Sequence, residues 1–301
     1  MISSLDAASQ SFLTGVDQIQ QQLDTVQTQL TTGLKINSVS DAPDQIANLW
    51  QTRSDLDQVD QVTSNLGRVQ TEVNTGESAL ESAVTLVENA QTLGAQGASD
   101  TSSSDTRQNL ADQLGSILQE LVSTANTQVE GRYIFSGDED QQAPYSIDLT
   151  QSDPISAYQG SASTRKIQVA DGSSFSVALT AQQIFDSSNA QQNVFQSINN
   201  LRLALSSNDD ASINAAVGDV QSAGTYLNEE LAFYGSVQDQ VASGLNYAQN
   251  YQTQLQTQLS GIQDADEAQS ITNLTMAQTQ LQAAMESRAK MPQTSLFDFL
   301  A

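Results

Sequence analysis

Covalent chemistry in a protein usually needs a group that titrates near neutrality, or a nucleophile with a base beside it, and this sequence contains no histidine and no cysteine. The commonest general base and metal ligand is therefore missing, as are thiolate metal sites, cysteine nucleophiles and disulfide scaffolds. Ser and Asp are plentiful, but no nucleophile has an evident activating base and no Gly-rich phosphate loop is present. The acidic run Asp138, Glu139 and Asp140 lacks the alternating ligand spacing and Gly-anchored loop of a calcium hand, and reads as a solvated loop. Asn273-Leu274-Thr275 has the form of a glycosylation triplet but falls inside an apolar helical repeat, where a sugar would block packing. Trp50 with Arg53 one turn on, and Arg132 beside Tyr133, read as packing residues between helices. Asp264 and Asp266 mark a break in helical register. A carboxylate pair between Asp138 and Asp186 could in principle serve a carbohydrate-active site. The expectation is nevertheless no catalytic residue, no cofactor and no metal.

Charge narrows the partners. Lys and Arg number 10 against 35 Asp and Glu, a net charge of -25, so a nucleic-acid backbone or an anionic lipid surface would be repelled. Hydrophobic residues make up 38% of the 301 and aromatics 5%, a mix suited to thin helical seams more than to one thick core. Met1 to Phe12 carry neither a basic cluster nor an apolar run, so no cleavable secretory signal is readable. No window approaches the roughly 20 apolar residues of a membrane span.

What remains to explain is the arrangement of apolar residues. Phe12, Val16, Ile19, Leu23, Val26 and Leu30 recur at spacings of four and three, the mark of a coiled-coil seam. Gly33 ends that helix. Asn37 to Pro43 read as a bend, with Asp41 as a candidate N-cap for a longer helix whose register runs from Val59 to Ala90 and ends at Gly94 and Gly97. A third helix carries Leu110, Leu114, Ile117 and Leu121 and stops at Gly131. Tyr133 to Phe135 then read as a strand, and Ile167 and Val169, Asp171-Gly172, then Phe175, Val177 and Leu179 as a hairpin. Helical signals resume at Val194, Ile198, Leu201 and Leu205. The longest register follows, Ile213 through Ile262, failing at Asp266, and a last one runs through Ile271, Leu274, Leu281 and Met285, with Gln278 at its polar seam position.

The lengths nest about the middle. First pairs with last and second with second-last, predicting a mainly α fold: a long antiparallel helical rod or coiled coil formed by both chain ends, with a small inserted β domain. The expected division is 1–40 and 264–301 for the terminal coiled coil, 41–137 and 190–263 for the helical rod, and 138–189 for the insert. Two narrow helices leave apolar surface open, so the expected subunit interface is Ile2, Leu5, Phe12, Val16, Ile19, Leu23, Val26, Leu30, Ile271, Leu274, Leu281, Met285, Leu296, Phe297, Phe299 and Leu300. Termini that order only on assembly are expected.

Two segments carry a family resemblance. LTTGLKINSVSDAPDQIANL, Leu30 to Leu49, resembles the N-terminal region of bacterial flagellins and flagellar hook-associated proteins, and Gly261 to Leu300 resembles their C-terminal region. Three features resemble the hook–filament junction branch of that family more than its filament flagellins: Ser40 to Pro43, ANTQVEGRYIFSG at Ala125 to Gly137, and AYQGSASTRKIQVADG at Ala157 to Gly172. One departure is Ala42, where the family commonly has a second Asp before the Pro. The resemblance implies an extracellular flagellar subunit exported through the type III apparatus without a cleaved signal. A cytoplasmic export chaperone would hold its C-terminal part, and it would form a homo-oligomeric ring joining hook-associated protein 1 to flagellin. Two other readings stay open at this point: a filament-forming flagellin, and a coiled-coil tip or effector protein of an injection-type secretion system.

Overall fold

Several helices begin where a side chain satisfies an orphan backbone group. The computed structural model describes residues 7–168, 172 and 174–290. Among them the helices are α1 Ala7–Thr32, α2 Ile46–Gly97, α3 Ser104–Ala125, α4 Ala181–Phe185, α5 Val194–Ser207, α6 Asp210–Gln263 and α7 Glu267–Lys290. Two antiparallel ladders accompany them, β1 Gln128–Val129 with β2 Arg132–Tyr133 and β3 Lys166–Gln168 with β4 Ser174–Ser176. Ser103 accepts from Thr106 N at the start of α3, Asn193 from Gln196 N at the start of α5, and Thr180 with Gln183 closes a reciprocal capping box on α4. The nested lengths are observed: α1 and α7 have 26 and 24 residues, α2 and α6 have 52 and 54.

Two compact units divide the chain. One is Val59–Tyr251. Within it α2 and α6 run antiparallel, because Gly94 faces Val217, Gly224 faces Val87 and Gly76 faces Tyr234. The glycines are what lets the helices close: a Cβ at Gly76 would lie 2.6 Å from Tyr234 Cε1. Packed on this pair, α3 and α5 complete a helical core that includes Leu80, Val87, Leu114, Leu118, Leu121, Ile198, Leu201, Val220 and Leu227. Phe135, Tyr145, Val177, Ile184 and Phe185, from the connecting segment, belong to that same core. Phe185 stacks on Phe195 at 5.4 Å, and Phe135 meets Tyr234 edge-on at 6.2 Å.

Arg107 pins this unit from inside. Only 4% exposed, it donates from Nε to Gly97 O at 2.9 Å and from Nη1 to Asn208 Oδ1 at 2.8 Å, and pairs with Asp210 at 2.6 Å. One side chain on α3 thus ties together the end of α2, the left-handed turn at Asn208 and the start of α6.

Local corrections to the sequence reading have physical causes. The third helix stops at Ala125, six residues before Gly131, because the amide of Asn126 is held by Tyr145: Nδ2 donates to Tyr145 O at 2.8 Å and Oδ1 accepts from Tyr145 N at 3.1 Å. Gly131 instead joins Glu130 in a hairpin turn with φ of 78° and 51°. Trp50 is 63% exposed and does not pack between helices; Thr52, 2% exposed, takes the inward position. The hairpin positions Val169 and Asp171 lie outside the described residues.

The second unit is Met1–Gln58 with Gln252–Ala301. Its helices α1 and α7 pack against each other, and the junction between them and the longer helices is laced by main chain. Ala265 N donates to Gly33 O at 2.9 Å and Lys35 N to Gln263 O at 2.6 Å, flanking an antiparallel bridge of Leu34 with Asp264. Gly33 adopts φ 71°, which frees the turn that makes this possible. Asp266 caps α7, accepting from Gln269 N at 3.0 Å. Asp41 does not cap α2. It closes its own loop backwards, Oδ2 accepting from Asn37 N at 2.8 Å and Ser38 N at 2.7 Å. The Ser38 hydroxyl, then those amides, hold its carboxyl below the ordinary value of 3.8. A small core of Ile36, Ala42 and Leu49, with Ile46, Leu259 and Ile262 against it, completes the unit.

Candidate assembly surface

The seam between α1 and α7 is built from a stripe on each. On α1, Phe12, Val16, Ile19, Leu23 and Leu30 are half-buried and Val26 is buried. On α7 the inward positions are Ser270, Leu274, Ala277, Leu281 and Ala284, again at spacings of four and three. At its far end Arg288 Nη2 donates to Ser9 Oγ at 2.9 Å and the guanidinium sits 5.5 Å from the centre of the Phe12 ring. The start of α7 therefore lies by the end of α1, and its end by the start of α1, an antiparallel pair.

The reading of α7 from its largest residues needs correction. Leu274 and Leu281 face α1, but Ile271 and Met285 point away, 55% and 58% exposed. The inward places before Leu274 and between the two leucines go to Ser270 and Ala277, both 4% exposed, because small side chains let two helices approach. Asn273 is exposed as well and accepts from Gln269 Nε2 at 3.0 Å, so it is not enclosed by the seam. Ile2, Leu5, Leu296, Phe297, Phe299 and Leu300 lie outside the described residues.

The outcome is a helix pair with apolar surface on both sides. Ile271, Thr272, Thr275, Met276, Thr279 and Ala283 line an outward face of α7, while a groove between the helices is lined by Gln18, Gln22, Val26, Asn273, Met276 and Ala277. Leu13, 47% exposed, adds to the open surface of α1. Of the eight large hydrophobics most exposed among the described residues, six (Leu13, Val39, Trp50, Ile271, Met276, Met285) belong to this smaller unit. That concentration, in the part of the chain with the fewest buried side chains, marks the surface as one to be covered. Leu13, Val39 and Met276 escape the sequence reading because they stand off the main repeats, and Trp50 is read there as a packing residue; their only signal is a large apolar side chain in a polar stretch.

The residues with chemical potential do other work. Arg132 pairs with Asp140 at 3.5 Å, and Arg53 donates to Gln263 Oε1 at 2.7 Å. Two Ser-x-x-Lys spacings, passed over in the sequence reading, fall at Ser163 with Lys166 and Ser287 with Lys290, all four residues exposed. Among the described residues no group of three acidic side chains is placed to hold a metal ion, and no helix is long and apolar enough to cross a membrane.

Known proteins place this architecture. Flagellar hook-associated protein 3 of Escherichia coli (strain K12) is 28% identical over 246 residues, 73% of this chain and 75% of that protein. A solved protein from Vibrio parahaemolyticus, described as flagellar hook-associated, superposes with TM-score 0.66 at 19% identity, covering 74% of this chain and 100% of its own. Flagellar hook-associated protein 3 from Legionella pneumophila does so with TM-score 0.62 at 13% identity, covering 70% and 98%. At such identities the two solved structures establish a shared fold. Residues 2–140 match the N-terminal helical region of bacterial flagellin and residues 217–300 match its C-terminal helical region, so that both halves of the helix pair just described fall inside the matched segments, and the chain belongs to the bacterial flagellin family.

Proposed function

We propose that this chain is a non-catalytic structural subunit of the bacterial flagellum that joins hook-associated protein 1 to the first flagellin subunits, working as a homo-oligomeric ring at the hook–filament junction. The observation that carries the reading is the contrast between the two units: Val59–Tyr251 holds nearly all the fully buried side chains, while the terminal unit leaves Leu13, Ile271, Met276 and Met285 open. A subunit whose middle is stable alone and whose ends are completed by neighbours suits an adapter between two assemblies. The likeness to a protein named flagellar hook-associated protein 3 supports the same place in the structure.

The interface comprises the outward residues of α1 and α7 together with the part of their half-buried stripes left open, with Ile2 and Leu5 before them in the sequence and Leu296, Phe297, Phe299 and Leu300 after them. In this reading 1–40 and 264–301 act as the assembly module, 41–137 and 190–263 as its support, and 138–189 as the insert. Export runs through the flagellar type III apparatus without a cleaved signal. A cytoplasmic chaperone keeps the C-terminal stripe from associating early, since exposed apolar helices aggregate before they find their partners. Nucleic acid, membrane, metal and cofactor have no part in it.

Immunogold labelling of isolated flagella tests the proposal. A band confined to the boundary between hook and filament is expected. Label along the whole filament, or growth of the purified chain into long filaments by itself, would assign it to the filament instead; label at an injection-type tip would refute a flagellar place.

A further inference from the structure

A groove of about 720 Å³ runs between α1 and α7. Its floor is Val26 and Ala277, 8% and 4% exposed, and its walls are five glutamines with Thr25, Asn273 and Met276. No charged residue lines it, in a chain of net charge -25, and the exposed Asp17 and Asp24 of α1 stay outside it. On α1 the same side continues to Gly15, seven positions before Gln22, where an added Cβ would have nothing from the rest of the described chain within 4 Å. Glycine inside a helix weakens it relative to alanine, and nothing within the single chain uses the room that Gly15 leaves.

Beside the groove, α7 turns an outward face that is also without charge, since no charged residue occurs from 268 to 285. Ile271, Thr272, Thr275, Thr279 and Ala283 line that face, and Met276 and Gln280 stand on the ridge between it and the groove. The three threonine hydroxyls already donate to the carbonyls of Ala268, Ile271 and Thr275, at 2.9, 3.0 and 2.8 Å. Their oxygens are thereby left as acceptors, and each glutamine amide carries two N–H donors. Donors of the groove thus match acceptors of the face, while Ile271 and the threonine methyls match the apolar floor.

Both surfaces belong to one helix pair, so a chain cannot seat its α7 in its own groove. A second copy can. Copies carrying a charge of -25 repel one another wherever acidic surfaces meet, and neither of these surfaces adds to that repulsion. They also lie at one level, because the face from Ile271 to Ala283 spans the stretch from Asn273 to Gln280 that walls the groove. A ring holds its copies at one height, and a head-to-tail contact needs two different surfaces there. The outward side of α1 at that level carries Asp17 and Asp24 and fits less well. We propose that the α1–α7 groove of one copy receives the Ile271–Thr275–Thr279 face of the adjacent copy's α7. This rests on the ring reading above and gives its contact a direction.

Flagella isolated from cells producing the full chain with the photo-reactive residue p-benzoylphenylalanine in place of Gln22 are irradiated, and the product is mapped by mass spectrometry. A dimer joined between position 22 of one copy and the segment 271–283 of another is expected. A product joined to hook-associated protein 1, to flagellin, or to residues 1–6 or 291–301 of this chain overturns the contact. So does the absence of any product from flagella that carry the chain at the junction. In a second measurement, Gln18→Glu places a charge in the groove at an exposed position. Gold at the junction should fall about tenfold while the melting temperature of the purified chain stays where it was, and adding Thr279→Lys should restore the gold. Undiminished gold with Gln18→Glu overturns the contact and leaves the adapter reading standing. Gold away from the junction for the unaltered chain removes the ring and this contact with it.

Discussion

Replacing Ile271, Met276 and Met285 together by Ala separates surface that holds the chain together from surface that holds copies together. The three are 55%, 54% and 58% exposed on α7. Each truncation removes three heavy atoms, worth about 0.8 kcal/mol apiece when taken out of water. With a little over half of that surface open, roughly 1.3 kcal/mol per residue is available to a neighbour and about 4 kcal/mol for the triple variant. That corresponds to about a thousandfold in association. Inside the chain each of the three changes should shift stability by no more than about 0.5 kcal/mol, as exposed substitutions do, and the higher helix propensity of Ala offsets part of it. Leu274→Ala is the control: half-buried against α1, it should cost the lone chain roughly 1–2 kcal/mol. Circular dichroism melts of the purified chain measure the first quantity, and gold particles retained at the hook end of isolated flagella measure the second. The reasoning fails if the triple variant destabilises the lone chain by more than about 1.5 kcal/mol, or if it assembles at the level of the unaltered protein.

The remaining predictions concern what positions that surface. Gly97→Ala drives a methyl into Leu205 and should cost about 1–3 kcal/mol by overpacking, read from denaturant unfolding. Arg107→Met keeps the buried stem but forfeits its bonds to Gly97, Asn208 and Asp210; a loss of about 2–4 kcal/mol is expected, with amide exchange rising first around the start of α6. Asp41 has a lowered carboxyl pKa, so the stabilisation that it gives its loop is complete above the ordinary 3.8 and disappears as pH falls through the depressed value. The amide resonances of Asn37 and Ser38 should report that acid transition, and Asp41→Asn should remove it.

How much of this was legible beforehand depends on how each feature is written into the chain. A long repeat averages out exceptions, so α1, α6 and the nested lengths follow from Phe12 to Leu30 and Ile213 to Ile262. The pairing of first helix with last follows too. The orientation of α7 does not. Two stripes interleave on it, one of large residues and one of Ser, Leu and Ala, and the rule that large apolar residues turn inward picks the wrong members where backbones come close. Termination of α3 was equally hidden, since Asn126 is held by Tyr145, 19 residues further on.

The lacing at Gly33, Leu34 and Lys35 with Gln263, Asp264 and Ala265 bears on slippage. A contact face on which two leucines, seven residues apart, alternate with serine and alanine offers few distinctive knobs, so by itself it would resist a shift along the partner helix only weakly. The two backbone bonds act like the bottom stop of a zip: moving α7 by a turn against α1 would break both. Neighbouring molecules therefore meet a fixed pattern of side chains, set by a latch at one end instead of by the length of the seam.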